Sequence, residues 1–278
     1  MMRLSLKGDI SVFGSTGFIG SRFCKLNSNT CICEERQNRV PTSDDILYLI
    51  STTTNYNVFN DVHIDIDTNL SILVDVLQHC KDRAVTFNFI SSWFVYGDTA
   101  LPASESSVCN PKGFYSITKR AAEQLIISYC ETFNIKYRIL RLCNVIGTND
   151  NFSKQKNALQ FIIDKIKNNE KLNLYHNGDF IRDYMHIDDV CAAIKHCLVF
   201  GDCNEVYNIG SGTSTKFIDI INYAVDKFDS SSIIESIKPP PFHDIVQVKD
   251  MWLDTKKLDG LGFKPQMTVY DSIDAIYD

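Results

Sequence analysis

Residues 9–26 read DISVFGSTGFIGSRFCKL, and this stretch decides the fold. Asp9–Phe13 is rich in β-formers, Phe18–Leu26 has helical spacing, and Gly14, Gly17 and Gly20 fill the junction. A strand that turns through glycines into a helix opens a βαβ unit. Gly14 permits the tight turn, Gly17 lets a pyrophosphate approach the backbone, and Gly20 lets the helix lie close on the sheet. Phosphates then rest on the helix N-terminus, beside Thr16, Phe18 and Ile19. The spacing is G-x-x-G-x-x-G rather than G-x-G-x-x-G, so it gains weight from its place at the first strand–helix junction.

Outward from this turn the alternation continues. Thr30–Cys33, Ile46–Ile50, Val85–Ile90 and Tyr137–Leu142 read as strands, and Leu70–His79 and Ser116–Phe133 as helices. Strands separated by helices imply right-handed crossovers and an α/β, doubly wound parallel sheet of Rossmann type, with ligands at the carboxyl ends of its strands. Beyond Gly147 the pattern loosens, although Asn157–Asn168 and His186–Val199 remain helical. Ser230–Pro241, with SSS and PPP, reads as a surface loop. Residues 1–150 are expected to form mainly the dinucleotide-binding domain, with 186–204 returning to it. Residues 151–185 and 205–278 then form mainly a smaller substrate-binding region.

Composition narrows the function. The 278 residues are 44% hydrophobic and 22% charged, with net charge -6 and pI near 5.5. An acidic chain without a Lys/Arg block repels phosphate backbones, so no nucleic-acid partner is expected. Ten cysteines are scattered without metal-ligand spacing, and no metal is expected. Reduced thiols, no apolar leader before the first strand and no apolar run near ~20 residues together imply a cytoplasmic protein with no membrane partner.

The second strand ends at Glu34 and Glu35. A carboxylate there, about 20 residues past the first glycine, accepts hydrogen bonds from a ribose and repels a 2′-phosphate, which favours NAD. Arg36 and Arg39 follow at once and leave NADP possible.

Two Tyr-x-x-x-Lys pairs occur, Tyr115/Lys119 and Tyr223/Lys227. Both residues of each pair share a helix face, so the surroundings must separate them. Tyr115 follows Pro111 and Gly113, and upstream a strand ends in Ser91 and Ser92. Strand end, helix start and glycine turn thus converge on one crevice. No serine-bearing strand end leads into Tyr223, which reads as surface. Tyrosine, with a pKa near 10, is a poor base at pH 7. A lysine ammonium and a cationic nicotinamide would lower that pKa, and a serine hydroxyl would orient the substrate oxygen. Tyr115 is therefore the expected acid/base, Lys119 its electrostatic and ribose-binding partner, and Ser92 the orienting hydroxyl.

With these pieces assembled, the chain resembles the extended short-chain dehydrogenase/reductase family, in its nucleotide-sugar epimerase and dehydratase branch. The matching segments run nearly end to end: VFGSTGFIGS, NLSILVDVL, FISSWFVYGD, NPKGFYSITKRAAEQLI, YRILRLCNVIG, GDFIRDYMHIDDV, EVYNIGSG and LDTKKLDGLGFKP. The resemblance implies that Ser92, four residues before Tyr96, is the catalytic hydroxyl. It also implies that Asn144 and Asn157 contact a nucleotide-diphosphate sugar, that Arg182 binds phosphate, and that the protein is a homodimer through two long helices.

Three departures stand out. Where the dehydratases carry an Asp-Glu pair, this chain has Trp93 and Phe94, which transfer no proton. A 4,6-dehydratase is therefore not expected, and Trp93 is expected to shape the sugar pocket. Only about a dozen residues separate Glu34 from Ile46, where the family fits a further helix and strand, so a sheet truncated after the second strand is expected. Near the C-terminus the resemblance leads one to expect a second phosphate-binding arginine, and PPFHDIVQVKDMWLD offers only His243 and Lys249. The leading expectation is an NAD(P)-dependent nucleotide-sugar epimerase. A reductase of a nucleotide-linked 4-keto sugar and, less well supported, a non-catalytic dinucleotide sensor are the alternatives.

Overall fold

The structure is a computed structural model, and it describes residues 6, 8–148 and 157–278. The first five residues and the expected domain boundary near 150 lie outside it. Six parallel strands form the central sheet: β1 Ile10–Phe13, β2 Cys31–Cys33, β3 Asp45–Tyr48, β4 Thr86–Ser92, β5 Lys136–Leu142 and β6 Glu205–Ile209. Their spatial order is β6-β5-β4-β3-β1-β2. The chain reverses direction across the sheet between β1 and β3, and this switch point places the carboxyl ends of β1, β3 and β4 side by side.

Near-continuous apolar strands such as ISVF and DILY require cover on both faces. Helix α1 (Phe18–Leu26) covers one face with α4 (Ile187–Phe200), burying Phe23, Val190, Ile194 and Cys197 against Val12, Leu47 and Leu140. On the other face lie α2 (Ile72–Gln78) and α3 (Phe114–Thr132). They bury Leu73, Val76, Ala122 and Ile126 against Phe13, Tyr48, Phe87 and Ile139.

The sheet is truncated as expected. Strand β2 is its edge, and residues 34–44 run from β2 to β3 without helix or strand. Two differences from the sequence reading concern the second half. Glu205–Ile209 pairs with β5 in the main sheet. Within Ser230–Pro241, Ile234–Ile237 forms a strand parallel to Leu172–Tyr175. That pairing, and not local propensity, makes the segment regular. A third core, containing Leu159, Ile163, Leu172, Phe217, Ile221 and Ile273, holds the smaller region together.

Candidate active site

The glycine turn is built by backbone contact. Gly14 has φ +85°, and a Cβ on Gly20 would lie 2.2 Å from the Gly14 carbonyl oxygen. Only glycine fits both positions. Helix α1 starts at Phe18 with no side-chain cap and no acidic residue in its first turn. Its N-terminal N–H groups and the positive end of its dipole therefore remain available to an anion. A bidentate ion pair, Arg22 Nε to Asp188 Oδ1 at 2.5 Å and Nη2 to Oδ2 at 2.7 Å, ties α1 to α4 and fixes the turn. These features fit a dinucleotide pyrophosphate.

Ser92 is the last residue of β4, and Tyr115 stands in the first turn of α3. Gly113 delivers that helix at φ +81°, where a Cβ would meet the Asn55 side chain at 2.5 Å. Ser92 and Tyr115 line the same cavity, and the Ser92 hydroxyl lies close enough to the Tyr115 phenol to pull its pKa down. Neighbouring Ser91 instead donates to the buried carboxylate of Glu123 at 2.6 Å, which also pairs with Arg141 at 2.7 Å. The structure thus separates the two serines, one to the site and one to the core.

Lys119 lies one turn beyond Tyr115, its Nζ 2.5 Å from the Ile90 carbonyl and 4.1 Å from the centre of the Phe89 ring. Burial pushes its pKa down to about 7, while Glu123 opposes the shift. Burial likewise pushes the Tyr115 phenol up to about 12, with the Ser92 hydrogen bond pulling the other way. The protein alone therefore keeps this phenol protonated. An added positive charge beside it is what would make it a base.

Ser92, Tyr115 and Lys119 open on a cavity of about 1280 Å³, also lined by Phe18, Ile19, Trp93, Asn144, Asn157 and Arg182. Trp93 stacks on Phe94 at 3.9 Å, and Phe94 meets Tyr115 edge-on at 5.8 Å, so two aromatic rings wall the phenol. Trp93 Nε1 donates to Asn144 Oδ1 at 3.3 Å, and Asn144 Nδ2 donates to the Asp183 carbonyl at 2.9 Å. Asn157 caps the helix Ala158–Lys167. Arg182 does not pair with its neighbour Asp183, whose carboxylate accepts bonds from Ser211 and Gly212. The Arg182 guanidinium is buried beside Phe180 and Trp93, and donates to the carbonyls of Ile181, Val248 and Lys249.

Glu34 is placed differently from the other expected residues. Its carboxylate oxygens accept from Asn38 Nδ2 at 2.6 Å and Thr42 N at 2.9 Å, stapling the short connection 34–44. Burial pushes its pKa up, but hydrogen bonds from Ser11, Thr42 and Asn38 outweigh that and hold it below the usual carboxylate value. It stays charged. The second Tyr-x-x-x-Lys pair lies elsewhere, Tyr223 bonding Asp274 and Lys227 pairing with Asp274 and Asp278.

Several further residues line the cavity, all but His243 unnamed in the sequence reading. Thr52–Tyr56 follow β3, Tyr175 ends a strand of the smaller region, and His243 sits in the short helix Pro241–Val246. Tyr56 Oη lies 3.2 Å from His243 Nδ1, and Tyr175 and His243 rings are 4.7 Å apart. For Thr52–Tyr56 a signal existed, the carboxyl end of a central strand. For His243 the signal was its place in the stretch where the resemblance leads one to expect a phosphate-binding arginine, and tertiary packing brings it to 56 and 175.

Known proteins resemble this chain in sequence and in fold. The profile of the NAD dependent epimerase/dehydratase family matches residues 42–210. The low-salt glycan biosynthesis protein Agl12 of Haloferax volcanii is 30% identical over 77% of this chain and 67% of its own. GDP-6-deoxy-D-mannose reductase of Pseudomonas aeruginosa is 29% identical over 84% of this chain and 79% of its own. The solved UDP-glucose 4-epimerase of Thermotoga maritima superposes with TM-score 0.85 at 20% identity, covering 96% of each chain. This last match bears on the fold alone.

Proposed function

The chain belongs to the NAD-dependent epimerase/dehydratase family, and from that premise we propose that it is an NAD(P)-dependent epimerase of a nucleotide-diphosphate sugar. The carrying observation is that Ser92, Tyr115 and, one helical turn on, Lys119 line one cavity together with Phe18 and Ile19 beyond the glycine turn. In this reading Gly14, Gly17, Gly20 and the Thr16–Ile19 backbone hold the dinucleotide, which supplies a hydride acceptor when bound. Ser92 holds a sugar hydroxyl, at C4 in our proposal, against the Tyr115 phenol. Tyr115 takes the hydroxyl proton on oxidation and returns it on reduction. Lys119 binds the nicotinamide ribose and, as an ammonium, favours the phenolate. Asn144, Asn157 and Arg182 bind the nucleotide-diphosphate end, and Trp93 packs on the sugar. Trp93 and Phe94 offer no acid/base pair for eliminating water, which argues against a dehydratase. The charge retained by Glu34 favours NAD over a 2′-phosphorylated cofactor.

One observation favours a second reading. With no helix or strand between residues 34 and 44, the sheet ends at β2, so the adenosine side of a bound dinucleotide has less protein around it. A cofactor that exchanges each turnover suits a reductase of a nucleotide-linked keto sugar. Releasing nucleotides from freshly purified protein decides between them. Stoichiometric NAD supports the epimerase, whereas empty protein that binds NADPH more tightly supports the reductase. Replacing Tyr115 by Phe tests both against a sensor that does no chemistry. Turnover should fall roughly 10²-fold or more while cofactor affinity persists.

We further propose a homodimer through α2 and α3, supported by an exposed apolar stripe on α3, Phe114, Ile117 and Leu125, and by exposed Val74 on α2. A cytoplasmic location is proposed as well. Its support is ten free thiols and, among the described residues, no helix long and apolar enough to cross a membrane.

A further inference from the structure

We propose that Asp65 is a buried counter-charge for the nicotinamide, which makes this site hold the oxidised dinucleotide in preference to the reduced one. The inference rests on the dinucleotide reading of the cavity and on the place that reading gives Tyr115 and Lys119, and it names what sets the redox poise there.

Asp65 lies in the helical segment Ile64–Ile66 and is 1% exposed. Its Oδ1 accepts from the Thr52 hydroxyl and from Asn57 Nδ2, the latter at 3.0 Å. Both donors are neutral. Among the described residues, no lysine, arginine or histidine pairs with this carboxylate. A buried carboxylate without a cation is costly, and the local structure does not require one. An asparagine would accept the same two bonds through its own Oδ1. What aspartate adds is a negative charge.

That charge stands directly behind the reacting end of the cavity. Thr52, whose hydroxyl it accepts from, lines the cavity with Ser92, Tyr115 and Lys119. Asn69 Nδ2 donates to the Thr52 hydroxyl oxygen at 2.9 Å and to the Thr118 hydroxyl oxygen at 2.9 Å. The Thr118 hydroxyl in turn donates to the Tyr115 carbonyl at 3.0 Å. A chain of neutral groups thus runs from Asp65 to the helical turn that carries Tyr115, and none of them cancels the charge. Burial is the largest influence keeping the Tyr115 phenol protonated, and the Asp65 charge adds to it. The nicotinamide must reach the carbon whose hydroxyl Tyr115 serves, so it comes within the same field. Its ring is positive when oxidised and neutral when reduced, and a nearby anion favours the positive form. The Lys119 ammonium acts in the opposite sense, and burial that brings its pKa down to about 7 weakens this opposition. A reductase must load the reduced form, so the poise favours the epimerase reading.

The test is a competition. Purified protein is equilibrated at neutral pH with an excess of NAD and NADH in equal amounts, passed rapidly through a gel-filtration column and denatured, and the retained nucleotides are quantified. An equal mixture of NADP and NADPH is run alongside, since the nicotinamide is common to both pairs. Wild type should retain the oxidised form in excess. Asp65→Asn and Asp65→Ser should shift the retained ratio roughly three- to tenfold toward the reduced form, and Asp65→Glu should restore it toward the wild-type value. Neutral variants that lose both forms equally would show that the residue only braces the loop 52–57, and would overturn the inference. Should neither neutral variant fold, wild type alone decides, because a reduced form retained in excess of its oxidised partner overturns it too. A wild-type protein that retains none of the four nucleotides removes the dinucleotide reading itself, and this inference with it.

Discussion

Lys119 and Tyr115 show what burial does to a charged and a neutral group one helical turn apart. The amine is pushed down to about 7 and the phenol up to about 12, in each case toward the uncharged form. For the amine, the unfolded chain binds a proton that the folded chain releases between pH 7 and its ordinary value of 10.5. Folding stability should therefore rise with pH across that window, by up to about 1.4 kcal/mol per unit from this residue. Lys119→Met should remove that rise, be more stable than wild type at pH 7, and abolish turnover. Urea unfolding at pH 7 and pH 9.5 reads the difference, and equal slopes for the two proteins would refute it. Tyr48 offers a simpler case. Its hydroxyl is buried among Phe13, Phe87 and Phe89 with no hydrogen-bond partner among the described residues. Tyr48→Phe should stabilise the protein by about 1 kcal/mol, visible as a higher denaturant midpoint. Residue types at the site were legible in the sequence, because FYSITK and FISS carry Ser92, Tyr115 and Lys119 in plain view. Their ionisation was not legible, since the sequence reading weighed the neighbouring charge and not the burial that outweighs it.

At the level of elements, the glycine turn was the most readable part of the chain because its requirement is steric and local. The structure divides its glycines by function. A Cβ on Gly20 would press into the Gly14 carbonyl at 2.2 Å, whereas one on Gly17 would meet the same oxygen at 3.3 Å. Gly20→Ala should therefore cost about 2 kcal/mol or more of stability together with cofactor affinity. Gly17→Ala should keep its melting temperature within a few degrees and lose mainly cofactor affinity. Thermal melts with and without NAD separate the two, and identical behaviour would contradict this division. Less readable elements owe their existence to distant partners. Ile234–Ile237 lies between serines and prolines that suggest a loop, yet pairing with Leu172–Tyr175 makes it a strand. Glu34 is expected at a ribose from its position after β2, and its carboxylate also accepts from Asn38 and Thr42. The shortness of the connection it staples, eight residues from Glu34 to Thr42, is what draws its carboxylate inward.

Over the whole molecule, one cavity collects Ser92, Tyr115, Lys119 and Arg182, and α3 also carries the exposed apolar residues Phe114, Ile117 and Leu125. Ile117 is 50% exposed and Leu125 41%, more than large apolar residues of a monomer surface need to be. Ile117→Asp with Leu125→Glu should convert a dimer near twice 31.6 kDa into a monomer in light scattering, without unfolding the sheet. A double variant with wild-type mass would rule out this surface as the interface. The missing strand has a further consequence at this scale. Losing the outermost strand of a sheet exposes the one beneath, and an exposed row of backbone donors and acceptors invites pairing with a neighbouring chain. Here the newly bared strand is three residues long. It offers an intruder too few bonds to anchor a stray strand, so the fold sheds an element without becoming a template for its own aggregation.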